Sequence, residues 1–231
     1  MSLTALEISA LELSLRVALV SVVGSLPFGF AAAWLLARGR FPGKSLVDGL
    51  IHLPLVLPPV VVGYALLVLF GRRGAIGAWL YDSFGIVLAF DWKGAALASA
   101  VMAFPLMVRA IRLSLEAVDR RLEAAARTLG AGRLRVFLTV TIPLTAPGLL
   151  TGAILAFARS VGEFGATITF VSNIPEATQT LPLALYSLVQ QPGGEAAAGR
   201  LTAIAVVVSL LALLVSEMLA RRIARRIAGA A

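Results

Sequence analysis

The 231-residue chain is 59% hydrophobic and 14% charged, and its charges are bunched between long runs that carry none. A soluble domain carries about a quarter charged residues, so this is the composition of an integral membrane protein. Disulfides and thiolate metal sites are excluded because there is no cysteine, and one histidine cannot build a metal cluster; the net charge of +8 needs no nucleic acid, since Lys and Arg mark cytoplasmic loops.

The chain opens with MSLTALEISALELSLR, whose glutamates Glu7 and Glu12 have the wrong sign for the basic leader of a signal peptide, so no cleaved leader is expected. A spanning helix needs roughly 20 apolar residues. Val17 to Ala37 is the first such run, and Gly49 to Gly71 the second, with His52 near its start. Pro54, Pro58 and Pro59 interrupt this second span. Each removes a backbone donor and disfavours helix just before it. Broken helix at membrane depth must be shielded by protein or water, so the segment either lines a pathway or gate, or is a kinked packing helix. The third span begins at Gly94 and reaches Arg109 and Arg112 near its end. The fourth lies in Leu144 to Phe170, and Arg159 and Glu163 within it are four apart, on one helix face. Intramembrane charges are costly, and these two are either a neutralising pair that fixes packing or a gate element. The fifth span covers Leu201 to about Leu219. Ile76 to Phe90 and Leu181 to Val189 are too short or too interrupted to cross, and are expected to be interfacial or re-entrant.

The expected fold is all-α: one polytopic membrane domain, residues 1–231, with five transmembrane helices. Arg38, Arg40 and Lys44 follow span one, six arginines between 112 and 135 follow span three, and Arg221, Arg222, Arg225 and Arg226 follow span five. That places thirteen basic residues on one side and five (Arg16, Arg72, Arg73, Lys93 and Arg200) on the other. The positive-inside tendency puts the N-terminus outside, the C-terminus inside, and the loop of about 116–143 in the cytoplasm.

Within that loop, Asp119 is positioned to cap a helix. Leu122, Ala125, Ala126 and Leu129 then recur at i, i+3, i+4 and i+7, one apolar stripe. Gly130 permits the left-handed turn that ends a helix, Gly132 adds a second flexible point, and RLRVFLTVTI continues as helix up to Pro143. The alanines at the centre let another surface approach the backbone closely. On physics alone, this is either a docking element or a basic amphipathic loop lying on lipid headgroups.

Here the chain resembles importer permeases of the ATP-binding-cassette class, whose loop has the pattern EAA-xxx-G, nine residues, then I-x-L-P. Anchored on Gly130, the chain has Ala124-Ala125-Ala126, Arg127-Thr128-Leu129, Gly130, nine residues to Thr139, and Val140-Thr141-Ile142-Pro143. Glu123 stands one position before the pattern's glutamate, where this chain has Ala124. ARGRFPGKS, LPLVLPPVVVGYALLVLFG and FARSVGEFGATITF extend the likeness over nearly the whole chain, to molybdate-transport permeases. The resemblance implies a subunit of the bacterial cytoplasmic (inner) membrane that translocates molybdate by alternating access. It implies a homodimer over a dimer of ATPases, fed by an extracytoplasmic oxyanion-binding protein and surrounded by lipid. Glu123, Ala124, Ala125, Ala126, Arg127, Gly130 and Pro143 would form the ATPase-coupling site.

The chain itself would be no enzyme and would carry no cofactor or metal, ATP being bound by the partner. GRFPGKS, Gly39 to Ser45, fails as a phosphate-binding loop: three residues separate its glycine from Gly-Lys where four are needed, and it follows a membrane helix rather than a strand. The rivals are a sulfate or tungstate permease of the same build, an ion-driven secondary transporter, for which no internal repeat is found, and a membrane scaffold, which needs no such loop motif. The orientation is testable by cysteine scanning in this cysteine-free chain. Arg133→Cys is expected to resist an impermeant thiol reagent on intact cells and to react once they are permeabilised; labelling from outside would invert the topology.

Overall fold

The computed structural model describes the backbone of residues 4–228 and the side chains of residues 4–215 and 218. The expected C-terminal basic cluster, Arg221, Arg222, Arg225 and Arg226, has side chains outside the described residues, as does all of Ala231. Every regular element among the described residues is helical. Four helices are long and apolar enough to cross a membrane, and a bent pair counted as one span brings the number to five.

Helix α1, Ala5–Arg38, starts twelve residues before the expected first span. Thr4 and Glu7 form a capping box, in which Thr4 Oγ1 accepts from the Glu7 N–H at 3.3 Å and Glu7 Oε2 accepts from the Thr4 N–H at 2.8 Å. Glu7 is tolerated there because Arg200 meets it, Nη2 to Oε1 at 2.9 Å. At 1.5 Å per residue, α1 is about 51 Å long and projects beyond a hydrocarbon core of about 30 Å.

Span two is divided into α2, Lys44–Val56, and α3, Pro59–Phe70, whose axes meet at 113°. Ile76 to Phe90 folds as the short α4, Ala75–Phe84, and non-helical chain. Ten residues rise about 15 Å, half of what a crossing needs. Helix α5, Trp92–Ala117, is capped by Asp91, whose Oδ1 accepts from the Lys93 N–H at 2.8 Å. The loop holds α6, Arg120–Thr128, and α7, Arg133–Val136. A π-helical turn, Phe137–Thr141, then leads into α8, Ile142–Val161, so that helix runs unbroken from Arg133 to Val161.

This corrects the expected fourth span, Leu144 to Phe170. It begins eleven residues earlier and ends at Val161, because Gly162 closes it and Glu163 starts another helix by accepting from the Ala166 N–H at 2.8 Å. That helix is α9, Gly165–Val171; α10, Leu181–Val189, and α11, Glu195–Ala228, complete the chain.

The centre of the bundle is α5, packed on α1 and α8. Small residues allow the close approach. A Cβ on Gly152 would lie 3.0 Å from the Met107 carbonyl, and one on Gly148 would collide with Ser114. Without a hydrophobic drive between helices in lipid, such backbone proximity supplies the packing contacts. Ser21 and Ser160 add a polar link between α1 and α8, Oγ to Oγ at 2.9 Å. On the other side α3 packs on α9, where a Cβ on Gly63 would lie 2.6 Å from the Ala166 carbonyl oxygen. Backbone cannot yield as a side-chain tip can. Gly63→Ala is therefore expected to cost about 1–3 kcal/mol, the usual penalty of overpacking, read as a lower thermal midpoint of the detergent-solubilised protein. Gly49→Ala in α2, where nothing lies within 4 Å, is expected to leave the midpoint within the equivalent of about 1 kcal/mol.

Candidate functional site

Asp119 caps α6 as expected, its Oδ1 accepting from the Arg121 N–H at 2.8 Å. The other end closes with the hydrogen bonds of a Schellman motif: the Gly130 N–H donates to the Arg127 carbonyl and the Ala131 N–H to the Ala126 carbonyl, both at 3.0 Å. The residue between them must be left-handed, and Gly130 has φ +84°. No atom stands within 4 Å of a Cβ built there, so a side chain would be opposed by backbone geometry alone.

The apolar stripe of α6 is turned away from the protein. Leu122 is half-exposed, Ala125 is exposed, and Leu129 is 88% exposed. Leu134 and Leu138 extend this open apolar surface past the turn. Ala124 is exposed and Ala126 half-buried, while Arg127 is exposed.

Glu123 faces the opposite way and is buried. Its Oε1 accepts from Arg38 Nη2 at 2.9 Å and from Thr141 Oγ1 at 3.0 Å. One carboxylate oxygen thus joins the docking-type helix to the last turn of α1 and to the π turn. Pro143 accounts for that turn: its ring excludes the carbonyl of Thr139 and it has no N–H to offer. The helix widens, and the Ile142 N–H bonds the Phe137 carbonyl five residues back. Thr141 sits at the end of the widened turn. Beside it Phe137 packs edge-on to Trp34 of α1, ring centroids 5.2 Å apart.

The residues singled out at membrane depth also come together. Pro58 and Pro59 lack the N–H groups that the carbonyls of Pro54 and Leu55 would otherwise receive, and the last bond of α2 is from the Leu57 N–H to the Leu53 carbonyl at 3.1 Å. The break is open, with Val56 82% exposed. Pro59 abuts Gly165, where a Cβ would lie 2.7 Å from the proline Cβ. Two residues before Gly165 stands Glu163, fully buried, with Arg159 Nη1 2.6 Å from its Oε2. Arg159 and Glu163 stand at ion-pair distance, which both readings of the pair accommodate. The pair lies at the helix junction, with Glu163 past the end of α8 and engaged as the cap of α9. Its proximity to Pro59 puts the α2–α3 break beside the α8–α9 junction.

Other features have smaller parts. Gly43, left-handed at φ +82°, and Lys44 of the loop-like GRFPGKS form the turn into α2. His52 turns Nδ1 to the Asp48 carbonyl at 2.8 Å, and Asp48 also meets Arg112 Nη1 at 3.0 Å. Arg109 lines a small cavity of about 280 Å³ with these residues. A groove of about 660 Å³ between α1, α2 and α5 is lined almost wholly by apolar groups and offers little to an anion. Among the described residues no cluster of His, Asp and Glu has metal-holding geometry. Arg38 and Thr141 were not singled out in the sequence; a lone arginine after a span and a threonine in a helical run carry no signal until the fold brings both to Glu123.

A multi-helix membrane core with one broken span, carrying a capped, outward-facing helix on a basic loop, defines the membrane subunit of a transport system. Over residues 25–229 the chain matches the family described as binding-protein-dependent transport system inner membrane component, and it belongs to that family. It is a multi-pass protein of the bacterial inner membrane. It is 64% identical over 229 residues to the molybdenum transport system permease protein ModB of Escherichia coli (strain K12), covering 99% of this chain and 100% of that one. To the sulfate transport system permease protein CysT of the same organism it is 37% identical over 222 residues, covering 96% and 79%. Its fold is that of a bacterial ABC transporter involved in import of the acidic polysaccharide alginate, with a TM-score of 0.74, 17% identity, and coverage of 95% of this chain and 80% of that one.

The Glu123 link can be measured in the isolated subunit. The side chains of Arg38 and Glu123 are 14% and 11% exposed. Glu123→Ala is expected to cost roughly 3 kcal/mol, the low end for breaking a buried pair, as a downward shift of the unfolding midpoint in detergent. Adding Arg38→Met should cost less than the sum of the two single changes; strict additivity would show that the two side chains do not interact.

Proposed function

We propose that this chain is the permease subunit of an ATP-driven molybdate importer, working as a homodimer with a separate ATPase dimer and an extracytoplasmic oxyanion-binding protein. The observation that carries the reading is the helix of residues 120–128, held to the membrane core by Glu123 on one side and bare and apolar on the other. An exposed apolar stripe of this kind needs a partner. A rigid partner that closes on ATP would push this helix, and the push would pass through Glu123 to α1 and to the Arg133–Val161 helix. That helix is 29 residues, about 43 Å, and delivers the displacement to the break where Pro59 meets Gly165. Hydrolysis belongs to the partner.

In this reading the loop faces the cytoplasm, the N-terminus lies outside and the C-terminus inside, in keeping with the basic-residue asymmetry. The open break of α2 and α3 faces the second copy, because free backbone carbonyls at membrane depth are tolerated only against protein or a water-filled path. Pro54, Pro58 and Pro59 line that path or its gate, while Arg159 and Glu163 hold the neighbouring α8–α9 junction in shape. A conducting path must release its ion, so polar groups and backbone dipoles serve better than a deep arginine cage. Molybdate is favoured over sulfate by the 64% identity to a molybdenum permease over its full length, against 37% to a sulfate permease of which a fifth is not covered.

Gly130→Val tests the coupling role. The left-handed turn costs an L-residue about 1–2 kcal/mol. Displacing α6 to relieve that strain is expected to weaken ATPase binding roughly tenfold or more, at about 1.4 kcal/mol per decade. The variant should still insert, but co-purification of the ATPase and binding-protein-stimulated hydrolysis in liposomes should both fall. Wild-type levels of both would return the loop to the lipid-surface reading. Molybdate uptake by the reconstituted wild-type complex, resistant to excess sulfate, tests the substrate.

A further inference from the structure

The inner face of α6 borders a cleft of about 410 Å³ between the end of α1 and the α7–π-turn segment. Its polar lining is Arg38, Arg120, Glu123, Arg127, Arg133 and Thr141, and Trp34 is part of its apolar wall. Four guanidiniums face one carboxylate, and that carboxylate is already committed to Arg38 and Thr141. Among the described residues, Arg120, Arg127 and Arg133 make no ion pair, and Arg38 Nε is buried without a hydrogen-bond partner. Arg120, Glu123 and Arg127 recur at i, i+3 and i+7, so they share one helix face. At 100° per residue it is the face opposite Leu122, Ala125, Ala126 and Leu129. The cleft therefore lies on the other side of α6 from the apolar stripe, and of the proposed coupling residues it shares Glu123, Ala124 and Arg127.

We propose that this cleft is a binding site for a phosphate-type oxyanion, either the headgroup of an anionic phospholipid or a free tetrahedral oxyanion in the cytoplasm. Guanidinium forks match the oxygens of such a group and bind it more strongly than neutral donors do. Arg120 and Arg127 stand before the Gly130 turn and Arg133 stands after it. An anion shared among them would staple the two sides of that turn and hold α6 against α1. The cleft lies where α1 ends in Trp34 and Arg38, the aromatic-then-basic order found at a membrane surface. Its cytoplasmic placement rests on the proposed orientation; the binding itself does not, since both faces of a lipid nanodisc are open to solution.

The experiment compares wild type with Arg120→Gln/Arg133→Gln in lipid nanodiscs. Retention of phosphatidylglycerol is read by native mass spectrometry, and binding of inorganic phosphate is read in discs of phosphatidylcholine alone. At least one ligand is expected to bind wild type about tenfold or more tightly than the double variant, a difference of about 1.4 kcal/mol. Retention of phosphatidylglycerol alone identifies a lipid headgroup as the source; phosphate binding in phosphatidylcholine discs identifies a free oxyanion. Arg120→Lys/Arg133→Lys, which keeps charge and loses the fork, should fall between the two. Circular dichroism verifies that each variant is folded. Equal binding by wild type and the glutamine variant, or no binding of either ligand by folded wild type, overturns the proposal. So does a glutamine variant that keeps both ligands and loses the ATPase on co-purification, because the arginines would then be a protein contact.

Discussion

A single oxygen atom, Oε1 of Glu123, holds the loop to the membrane core. It accepts from Arg38 at the end of α1 and from Thr141 at the end of the π turn, and it sits on the inner face of a nine-residue helix. A helix that short is marginal in water and owes its order to what it packs against. Its outer face is largely open among the described residues, so the order comes from the inner face, from the Asp119 cap and from the Gly130 turn. The charge also explains its own burial: a carboxylate can leave water only when its lone pairs are met, and here a guanidinium and a hydroxyl meet them.

The prolines act at two levels. Pro143 widens the helix into a π turn and so presents Thr141 to Glu123; it is a small distortion inside a helix that continues to Val161. Pro58 and Pro59 do more. They withhold two consecutive donors, and the second span divides with its halves 113° apart. The fourth span ends at Val161, and beyond Gly162 a carboxylate rather than a proline starts the next helix. Gly165 then allows Pro59 to come close. The break and the α8–α9 junction are thus adjacent because a glycine on one side of the contact makes room for a proline on the other.

Between these places stands a continuous helix from Arg133 to Val161, with the arginine-lined cleft at one end and the paired Arg159 and Glu163 at the other. It packs along α5 through glycines at 148 and 152, which bring backbones together and leave little freedom to bend. In the proposed importer this stiffness is what makes a push at the loop felt at membrane depth. A distant solved structure at 17% identity shares the fold, and the 64% identical permease aligns with 99% of this chain.

Much of this was legible from residue order. Apolar runs of about 20 residues follow from bilayer thickness, so five spans, the short pieces near 76–90 and 181–189, and the basic loop could be read directly. Asp119, the α6 stripe and Gly130 are local signals, since caps, periodicity and left-handed turns depend on neighbours within a few residues. What residue order could not state was partnership. Glu123 looked like a misplaced member of a motif, and only the fold, which returns Arg38 from 85 residues upstream and Thr141 from 18 downstream, gives it its two donors. The early start of α1 depended on Arg200 reaching Glu7, and the end of the fourth span on Glu163 capping α9. Charge, hydropathy and turn chemistry are properties of short stretches and are written in sequence. Which buried charge meets which counter-charge is set by the packing of distant helices, and that was decided by tertiary structure alone.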